Sequence, residues 1–167
     1  MKNTNTKEKQ IWEKKRAPAF CLPNQDGKKI CLRDIVAGLA ENEYALLYFY
    51  PRDNTPGCTT EAIAFTALQR KLKNAGVQVW GISKLTPQSK QKFIAKHNLK
   101  IPLLSDEDCT ISTKYGVYKE KNMYGKKVWG IARDSFLIDF RGKIIKHWQK
   151  VKPQEHPDEV LAFAKTL

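Results

Sequence analysis

The 167-residue sequence lacks the features that direct a chain into a membrane, to secretion or to a metal. No apolar run approaches the roughly 20 residues that a membrane-spanning helix needs. Residues 1–16 are charged and contain no apolar segment of a secretory signal, so a cytoplasmic location is expected. There is no C-x-x-C pair and there are three histidines, so metal-ligand spacing is absent and no metal site is expected.

Cysteine is scarce, with four residues: Cys21, Cys31, Cys58 and Cys109. Disulfides are rare in a reducing cytosol, where the redox roles of cysteine are transient and catalytic. All four are therefore expected to be thiols. A buried cysteine is commonly a small apolar core residue, and we favour this interpretation for Cys21, Cys31 and Cys109.

Acidic residues are outnumbered, and the net charge is +13. The excess is concentrated in residues 1–16 and in residues 66–100, and the second of these ranges contains no acid. A basic surface can bind polyanions without sequence preference. No aromatic–basic RNA motif or DNA-reading helix accompanies the charge, so we interpret it as a solvated face and consider a nucleic-acid partner unlikely.

Apolar runs of strand length alternate with amphipathic stretches, which predicts an α/β fold with a largely parallel sheet. A hairpin is expected near the N-terminus, around the Asp26–Gly27 turn. Two strands across residues 135–148 predict an antiparallel edge. We expect a basic N-terminal arm at residues 1–16 and a single domain at residues 17–167. The remaining predicted strands are 43–50, 77–83 and 101–105, and the predicted helices are 56–75, 87–98, 108–115 and the C-terminal segment from 153.

Chemistry is concentrated in the segment YFYPRDNTPGCTTEAIAF, residues 48–65. Thr55 is the expected N-cap, with Pro56 at the first helical position, where its missing N–H costs nothing. The Thr55 hydroxyl is expected to accept a hydrogen bond from the N–H of Gly57 or Cys58. The sulfur would then lie beside unpaired N–H donors at the positive end of the helix, where a thiolate is favoured. Gly57 would let a small substrate approach the backbone.

The segment resembles the peroxiredoxins, whose pattern Pro-x-x-x-Thr-x-x-Cys is matched by Pro51, Thr55 and Cys58. The longer string YFYPRDNTPGCTTEA is similar to the bacterioferritin comigratory protein group, also called PrxQ. The likeness runs along nearly the whole chain and includes GIARDSFLIDFRGKI near the end. It implies a thioredoxin-like fold, with a central mixed sheet flanked by helices and an N-terminal hairpin. It also implies a thiol peroxidase that reduces hydrogen peroxide and organic hydroperoxides without a cofactor.

The resemblance also assigns roles to individual residues. Cys58 would be the peroxidatic cysteine, cycling through a sulfenic acid, and Thr55 would hold the peroxide with its hydroxyl. Arg133 would stabilise the thiolate, and Pro51 would shield it from water.

Two further residues would support the site. Glu61 would help to position Arg133, and the backbone at Gly57 would donate hydrogen bonds to the peroxide. Electrons would come from thioredoxin or a small thiol.

The sequence departs from the group at Ile63, where many members have a resolving cysteine five residues after the first. Five residues along a helix rotate by about 500° and rise about 7.5 Å, so such a pair would bond only if the helix unwound. Without that cysteine, either a one-cysteine cycle operates or a distant thiol resolves the sulfenic acid, with Cys109 as the candidate. If the strand 101–105 lies two places from the strand 43–50, Cys109 is on the order of 10 Å or more away.

Two alternatives remain on the same fold, a thiol–disulfide oxidoreductase and a basic nucleic-acid-associated protein. Thr55 stands where an oxidoreductase would have the first cysteine of C-x-x-C, which argues against the first. A monomer or a weak homodimer is expected.

Overall fold

The fold is described for residues 12–167, from a computed structural model. Residues 1–11 of the predicted arm lie outside the described residues. The strands in the described part are β1 (Cys21–Pro23), β2 (Lys29–Cys31), β3 (Tyr44–Phe49), β4 (Val77–Ser83), β5 (Leu103–Ser105), β6 (Tyr118–Met123), β7 (Lys126–Ile131), β8 (Ser135–Ile138) and β9 (Ile144–Trp148). The helices are α1 (Leu32–Ala37), α2 (Pro56–Asn74), α3 (Pro87–His97), α4 (Thr110–Lys114) and α5 (His156–Ala164).

A five-stranded mixed sheet in the order β5-β4-β3-β8-β9 forms the centre. β3, β4 and β5 are parallel, whereas β8 pairs antiparallel with both β3 and β9. The prediction of a parallel sheet with an antiparallel edge is confirmed. The carboxyl ends of the three parallel strands meet at one edge, which is where open sheets of this kind bind ligands.

Alternating side chains of β3 supply two separate apolar cores, one on each face of the sheet. Ala45, Leu47 and Phe49 pack in the core shared with α1, α4 and the N-terminal hairpin. Leu46 and Tyr48 pack in the core shared with α2, α3 and α5. Because both faces are covered, the strand is a continuous apolar run, as the sequence predicted.

The N-terminal hairpin of β1 and β2 is present, but its cysteines correct two expectations. Cys21 and Cys31 are register partners with Cα atoms 4.0 Å apart, and they form a disulfide. They are therefore not thiols, because facing positions of an antiparallel pair bring the sulfur atoms within bonding reach. Cys21 is also exposed rather than buried.

Two elements had no counterpart in the sequence analysis, α1 and the hairpin of β6 and β7. The hairpin forms a separate two-stranded sheet between α4 and β8. Residues 12–16, the described part of the predicted arm, contact the domain. The backbones of Arg16 and Lys143 form an antiparallel β-bridge, and Lys14 N–H donates to Ile144 O at 2.7 Å. Among residues 12–167 no helix has both the length and the apolarity to cross a bilayer.

Candidate active site

Cys58 lies in the first turn of α2, at the carboxyl edge of the central sheet. β3 ends at Phe49, and residues 50–55 form the turn that leads into the helix. Cys58 is 1% exposed and is a thiol. In a helix that begins at Pro56, the N–H groups of Gly57 and Cys58 have no intrahelical acceptor. The predicted position of Cys58 at a helix start is confirmed.

Arg133 contacts the sulfur directly. Its Nη2 donates to Cys58 Sγ at 3.4 Å, although the two residues are 75 positions apart in sequence. The second terminal nitrogen, Nη1, is buried and has no hydrogen-bond partner within residues 12–167. The thiol therefore faces a guanidinium that retains a free donor.

Gly57 makes room for that guanidinium. A Cβ atom at this position would lie 2.6 Å from Arg133 Nη2 and 3.3 Å from Arg133 Cζ. The sequence predicts that Gly57 lets a small substrate approach the backbone. In the structure, the group that lies against Gly57 is the guanidinium of Arg133.

The segment around Arg133 is itself held by buried hydrogen bonds. Val151 N–H donates to Arg133 O at 2.9 Å. The neighbouring Asp134 pairs with His147 Nε2 at 2.9 Å, and both side chains are buried. These contacts join Arg133 to β9 and to the loop that follows it.

Thr55 is the N-cap residue of α2, as predicted, but its hydroxyl makes no capping bond. The hydroxyl donates to Arg52 O at 3.1 Å, so the predicted hydrogen bond from Gly57 or Cys58 is wrong. Donation backwards into the turn satisfies the hydroxyl hydrogen and leaves the helical N–H groups open. Pro51 lies half-buried at the start of the same turn.

The turn before Cys58 is fixed by a buried ion pair that the sequence analysis missed. Asp53 and Lys90 Nζ are 3.3 Å apart, and both side chains are almost fully buried. Asp53 also accepts hydrogen bonds from Tyr50 at 2.6 Å, Ser89 at 2.8 Å and Ser83 at 3.3 Å. A buried carboxylate with this many donors is well compensated for its lost hydration.

A second contact joins the turn to the other end of α3. Asn54 adopts the left-handed conformation with φ +62°, and its Oδ1 is 3.1 Å from His97 Nε2. The helix thus holds the turn through Lys90 near its start and His97 at its end. The sequence predicts a helix at residues 87–98 within a basic stretch, and neither the burial of Lys90 nor its partner is visible in that pattern.

Glu61 is buried one turn after Cys58, and neither of its oxygens has a hydrogen-bond partner within the described residues. Burial raises the pKa of Glu61 to about 8, and the nearby charge of Arg133 opposes this rise. The carboxyl group is therefore largely protonated at neutral pH. It forms no ion pair with Arg133, so its predicted role in positioning Arg133 lacks a direct contact and stays a prediction.

The other sulfur atoms lie apart from Cys58. β5 is two places from β3 in the sheet, and Cys109 packs in the core on the opposite face. Cys21 and Cys31 are bonded to each other. Ile63 is 46% exposed and points away from the core of α2.

Comparison with known proteins identifies the family. The family model described as AhpC/TSA matches residues 14–147. This chain belongs to the AhpC/TSA family. It is 45% identical over 146 residues to a putative peroxiredoxin Bcp of Coxiella burnetii, covering 87% of this chain and 93% of that one. It is 42% identical to peroxiredoxin Bcp of Escherichia coli K12, covering 89% of this chain and 92% of that one.

The solved structures agree. The bacterioferritin comigratory protein of Xanthomonas campestris, described for its alkyl peroxide reduction activity, superposes with a TM-score of 0.79. It is 39% identical, and the match covers 88% of this chain and 90% of that one. The resemblance to the Bcp/PrxQ group, the thioredoxin-like fold and the class of thiol-dependent peroxidase are all confirmed.

Proposed function

We propose that Cys58 is the peroxidatic cysteine of this thiol-dependent peroxidase, which reduces hydrogen peroxide and organic hydroperoxides. The contact of Arg133 Nη2 with Cys58 Sγ at 3.4 Å carries the proposal. A guanidinium beside a buried sulfur favours the thiolate, which is the nucleophile. No other thiol among the described residues has such a partner.

In the proposed reaction the Cys58 thiolate attacks the peroxide oxygen distal to the organic group. The S–O bond forms as the O–O bond breaks, and the leaving alkoxide or hydroxide takes up a proton to become alcohol or water. Cys58 is oxidised to a sulfenic acid while the peroxide is reduced. The free Nη1 donor of Arg133 and the open N–H groups at Gly57 and Cys58 would stabilise the negative charge that develops on oxygen.

Thr55 and Pro51 complete the proposed pocket. The Thr55 hydroxyl gives its hydrogen to Arg52 O, which leaves its lone pairs to accept from the peroxide O–H. Pro51 opens the turn and would limit the access of water to the sulfur. The Asp53–Lys90 pair would hold this turn in shape between catalytic cycles.

We infer a one-cysteine cycle within the chain. Ile63 replaces the usual resolving residue, Cys109 lies across the sheet, and the two hairpin sulfurs are already bonded. The sulfenic acid would then be reduced by thioredoxin or by a small thiol. A distant resolving role for Cys109 would need a movement of the α4 turn.

The test is the intact mass after one equivalent of hydrogen peroxide, followed by peptide mapping. We expect the gain of one oxygen atom at Cys58 and no change at Cys21 or Cys31, whose disulfide is part of the starting mass. Loss of two hydrogens with a peptide linking Cys58 to Cys109 would contradict the one-cysteine cycle. If Cys58 is unmodified while peroxide is consumed, the assignment of the peroxidatic residue is wrong.

For its setting, we propose a cytoplasmic enzyme that acts as a monomer or a weak homodimer. The Cys21–Cys31 disulfide is of a kind that is rare in that compartment, so cell fractionation is the test of the location. Equilibrium sedimentation would give the oligomeric state.

A further inference from the structure

The hairpin of β6 and β7 has two faces of different character, which follow from its register. Lys121 pairs with Val128, and Met123 pairs with Lys126. Lys119 lies two residues from Lys121 and therefore on the same side. We call this side the lysine face, defined by Lys119, Lys121, Met123, Lys126 and Val128. It combines three cations with two apolar side chains, which are 52% and 39% exposed, and it has no acidic residue.

The opposite face is internally compensated. Glu120 forms an ion pair with Lys127 at 3.8 Å. The rings of Tyr118 and Trp129 pack with their centroids 5.5 Å apart. On that face, one charge is thus paired and the aromatic rings pack on each other within the hairpin. On the lysine face the cations have no such partner among the described residues, apart from the backbone contact of Lys121.

The lysine face adjoins the active site. Lys121 Nζ donates to Ile131 O at 2.7 Å, only two residues before Arg133. The base of the hairpin is closed by Ala132 N–H, which donates to Val117 O at 2.8 Å. Burial lowers the pKa of Lys121, the charge of Arg133 lowers it further, and the charge of Cys58 opposes both effects. The middle of the face and the reactive sulfur are therefore within electrostatic reach of each other.

The proposed cycle requires an external thiol at this place. Cys58 is 1% exposed and has no resolving cysteine on its own side of the sheet. A protein that reduces it has to bind beside the pocket while its thiol reaches the sulfur. A second copy of this chain is a poor occupant of the lysine face, because each copy has a net charge of +13.

We propose that the lysine face is the docking surface for a dithiol protein with an acidic, partly apolar rim around its reactive cysteine. This inference rests on the proposed function of Cys58. The first thiol of the partner attacks the Cys58 sulfenic acid, forming a mixed disulfide and releasing water. Its second thiol then displaces Cys58, which returns as a thiol while the partner leaves oxidised to its disulfide.

Complementary charge and the two apolar side chains define this partner. Charged rims accelerate encounter and select the orientation of docking, and the effect falls with ionic strength. Val128 and Met123 supply the dehydrated contact that cations alone do not provide.

The experiment compares two reductants on one enzyme. The test variant is Lys119→Glu with Lys126→Glu, which reverses two exposed charges and leaves Lys121 in place. The matched control is Lys28→Glu with Lys29→Glu, the same change on the exposed N-terminal hairpin. Peroxide turnover is measured with thioredoxin, its reductase and NADPH, and separately with dithiothreitol.

For the test variant we expect kcat/KM for thioredoxin to fall about tenfold or more, as for reversal of rim charges that steer association. The dithiothreitol-driven rate and the single-turnover rate with peroxide are expected to be unchanged. The control variant should keep the wild-type kcat/KM. In the wild type, kcat/KM for thioredoxin should also decline as salt is raised.

Several outcomes would overturn the proposal. These are equal losses in the test and control variants, an unchanged kcat/KM in the test variant, or wild-type turnover with dithiothreitol and none with thioredoxin. Sedimentation that shows a wild-type dimer abolished by Lys119→Glu with Lys126→Glu would assign the face to a second copy instead. If the wild type consumes no peroxide with either reductant, the proposed function fails.

Discussion

Cys58 and Cys109 occupy similar places in the fold, yet their surroundings differ in charge. Each is buried, and each lies where a helix begins after a parallel strand of the central sheet. Cys58 faces Arg133 Nη2 at 3.4 Å. Burial raises the pKa of Cys109, and the carboxylates of Asp106 and Asp108 raise it further.

A helix start alone therefore does not produce a reactive thiol. The helix after Cys109 has five residues, whereas the helix that contains Cys58 has 19, so the short helix offers little axial dipole. The two sites then differ in the charge of the side chains nearest each sulfur. Cys58 contacts an arginine, whereas the two acids near Cys109 raise the pKa of its thiol.

Replacing each cysteine in turn should affect peroxide consumption very differently. Cys58→Ser should reduce peroxide consumption to the uncatalysed background, because a hydroxyl does not replace the thiolate nucleophile. Cys109→Ser should keep the wild-type rate, since its sulfur packs on the other face of the sheet. Steady-state peroxide consumption with thioredoxin, its reductase and NADPH measures both. If Cys109→Ser stops after one turnover while Cys58→Ser is inactive from the start, Cys109 resolves the sulfenic acid.

The second prediction concerns Arg133, whose charge distinguishes the two cysteine sites. Arg133→Met should slow formation of the sulfenic acid by about 10²–10³-fold, as for loss of one preorganised donor to a developing oxyanion. Arg133→Lys should lie between the two, because an ammonium supplies charge without the two-nitrogen fork. Single-turnover kinetics with hydrogen peroxide measure this rate. A wild-type rate in Arg133→Met would mean that the helix start is sufficient.

These contrasts show what the sequence could reveal. The apolar run before Pro51 and the N-cap pattern at Thr55 are local, so they predicted the helix start at Cys58 correctly. The contact of Arg133 spans 75 residues and came only from the family resemblance. No local signal marks Lys90, because a lysine in a basic helix is usually solvated and only its tertiary partner explains its burial.

Two features that the sequence did not predict, the hairpin disulfide and the hairpin of β6 and β7, have detectable signs in the sequence. Cys21 faces Cys31 because the loop between the strands is centred on Asp26, so the disulfide follows once the hairpin is drawn with this register. The hairpin of β6 and β7 is rich in lysine and weakly alternating, but Tyr124–Gly125 at its turn, both with positive φ, is a detectable turn signal.

A third prediction concerns the turn that carries Cys58. Lys90→Met should lower the free energy of unfolding by about 3 kcal/mol, because it removes the counter-charge of the buried Asp53 carboxylate and leaves it only neutral hydroxyl donors. Lys90→Met with Asp53→Asn should be less destabilised than the single variant, since no buried charge remains. Urea unfolding measures stability, and single-turnover kinetics report whether the folded variants react with peroxide more slowly. Equal stability of the single and double variants would contradict the claim that the unpaired charge of Asp53 destabilises Lys90→Met.

A smaller effect is the pH dependence caused by Glu61. Its folded pKa of about 8 lies above the ordinary value of 4.5, so the folded state keeps a proton that the unfolded chain releases. Stability should therefore fall as pH rises from about 5 to 8, by at most about 1.4 kcal/mol per pH unit from this group. Glu61→Gln should flatten this slope.

Urea unfolding at several pH values tests the prediction. His156, whose pKa is lowered to about 4 by burial, contributes stability that is lost as pH falls from 6.5 to 4. That contribution is common to the wild type and to Glu61→Gln, so it cancels in the difference between them. Parallel curves for the two proteins from pH 5 to 8 would contradict the assigned protonation of Glu61.

The last prediction concerns the acidic residues near Cys109 and has the smallest expected magnitude. In a Cys58→Ser background, Cys109 is the remaining thiol outside the hairpin disulfide, and its alkylation by iodoacetamide should stay slow at pH 8 and rise above pH 9. Asp108→Asn removes one exposed charge while its side-chain oxygen can still accept from Thr110 N–H. The rate should then increase by no more than about threefold, since solvent screens an exposed carboxylate. Asp158→Asn, on the other side of the sheet, is the matched control. An increase that persists unchanged in 1 M salt would point to altered access to Cys109, because salt at that concentration removes the effect of an exposed charge.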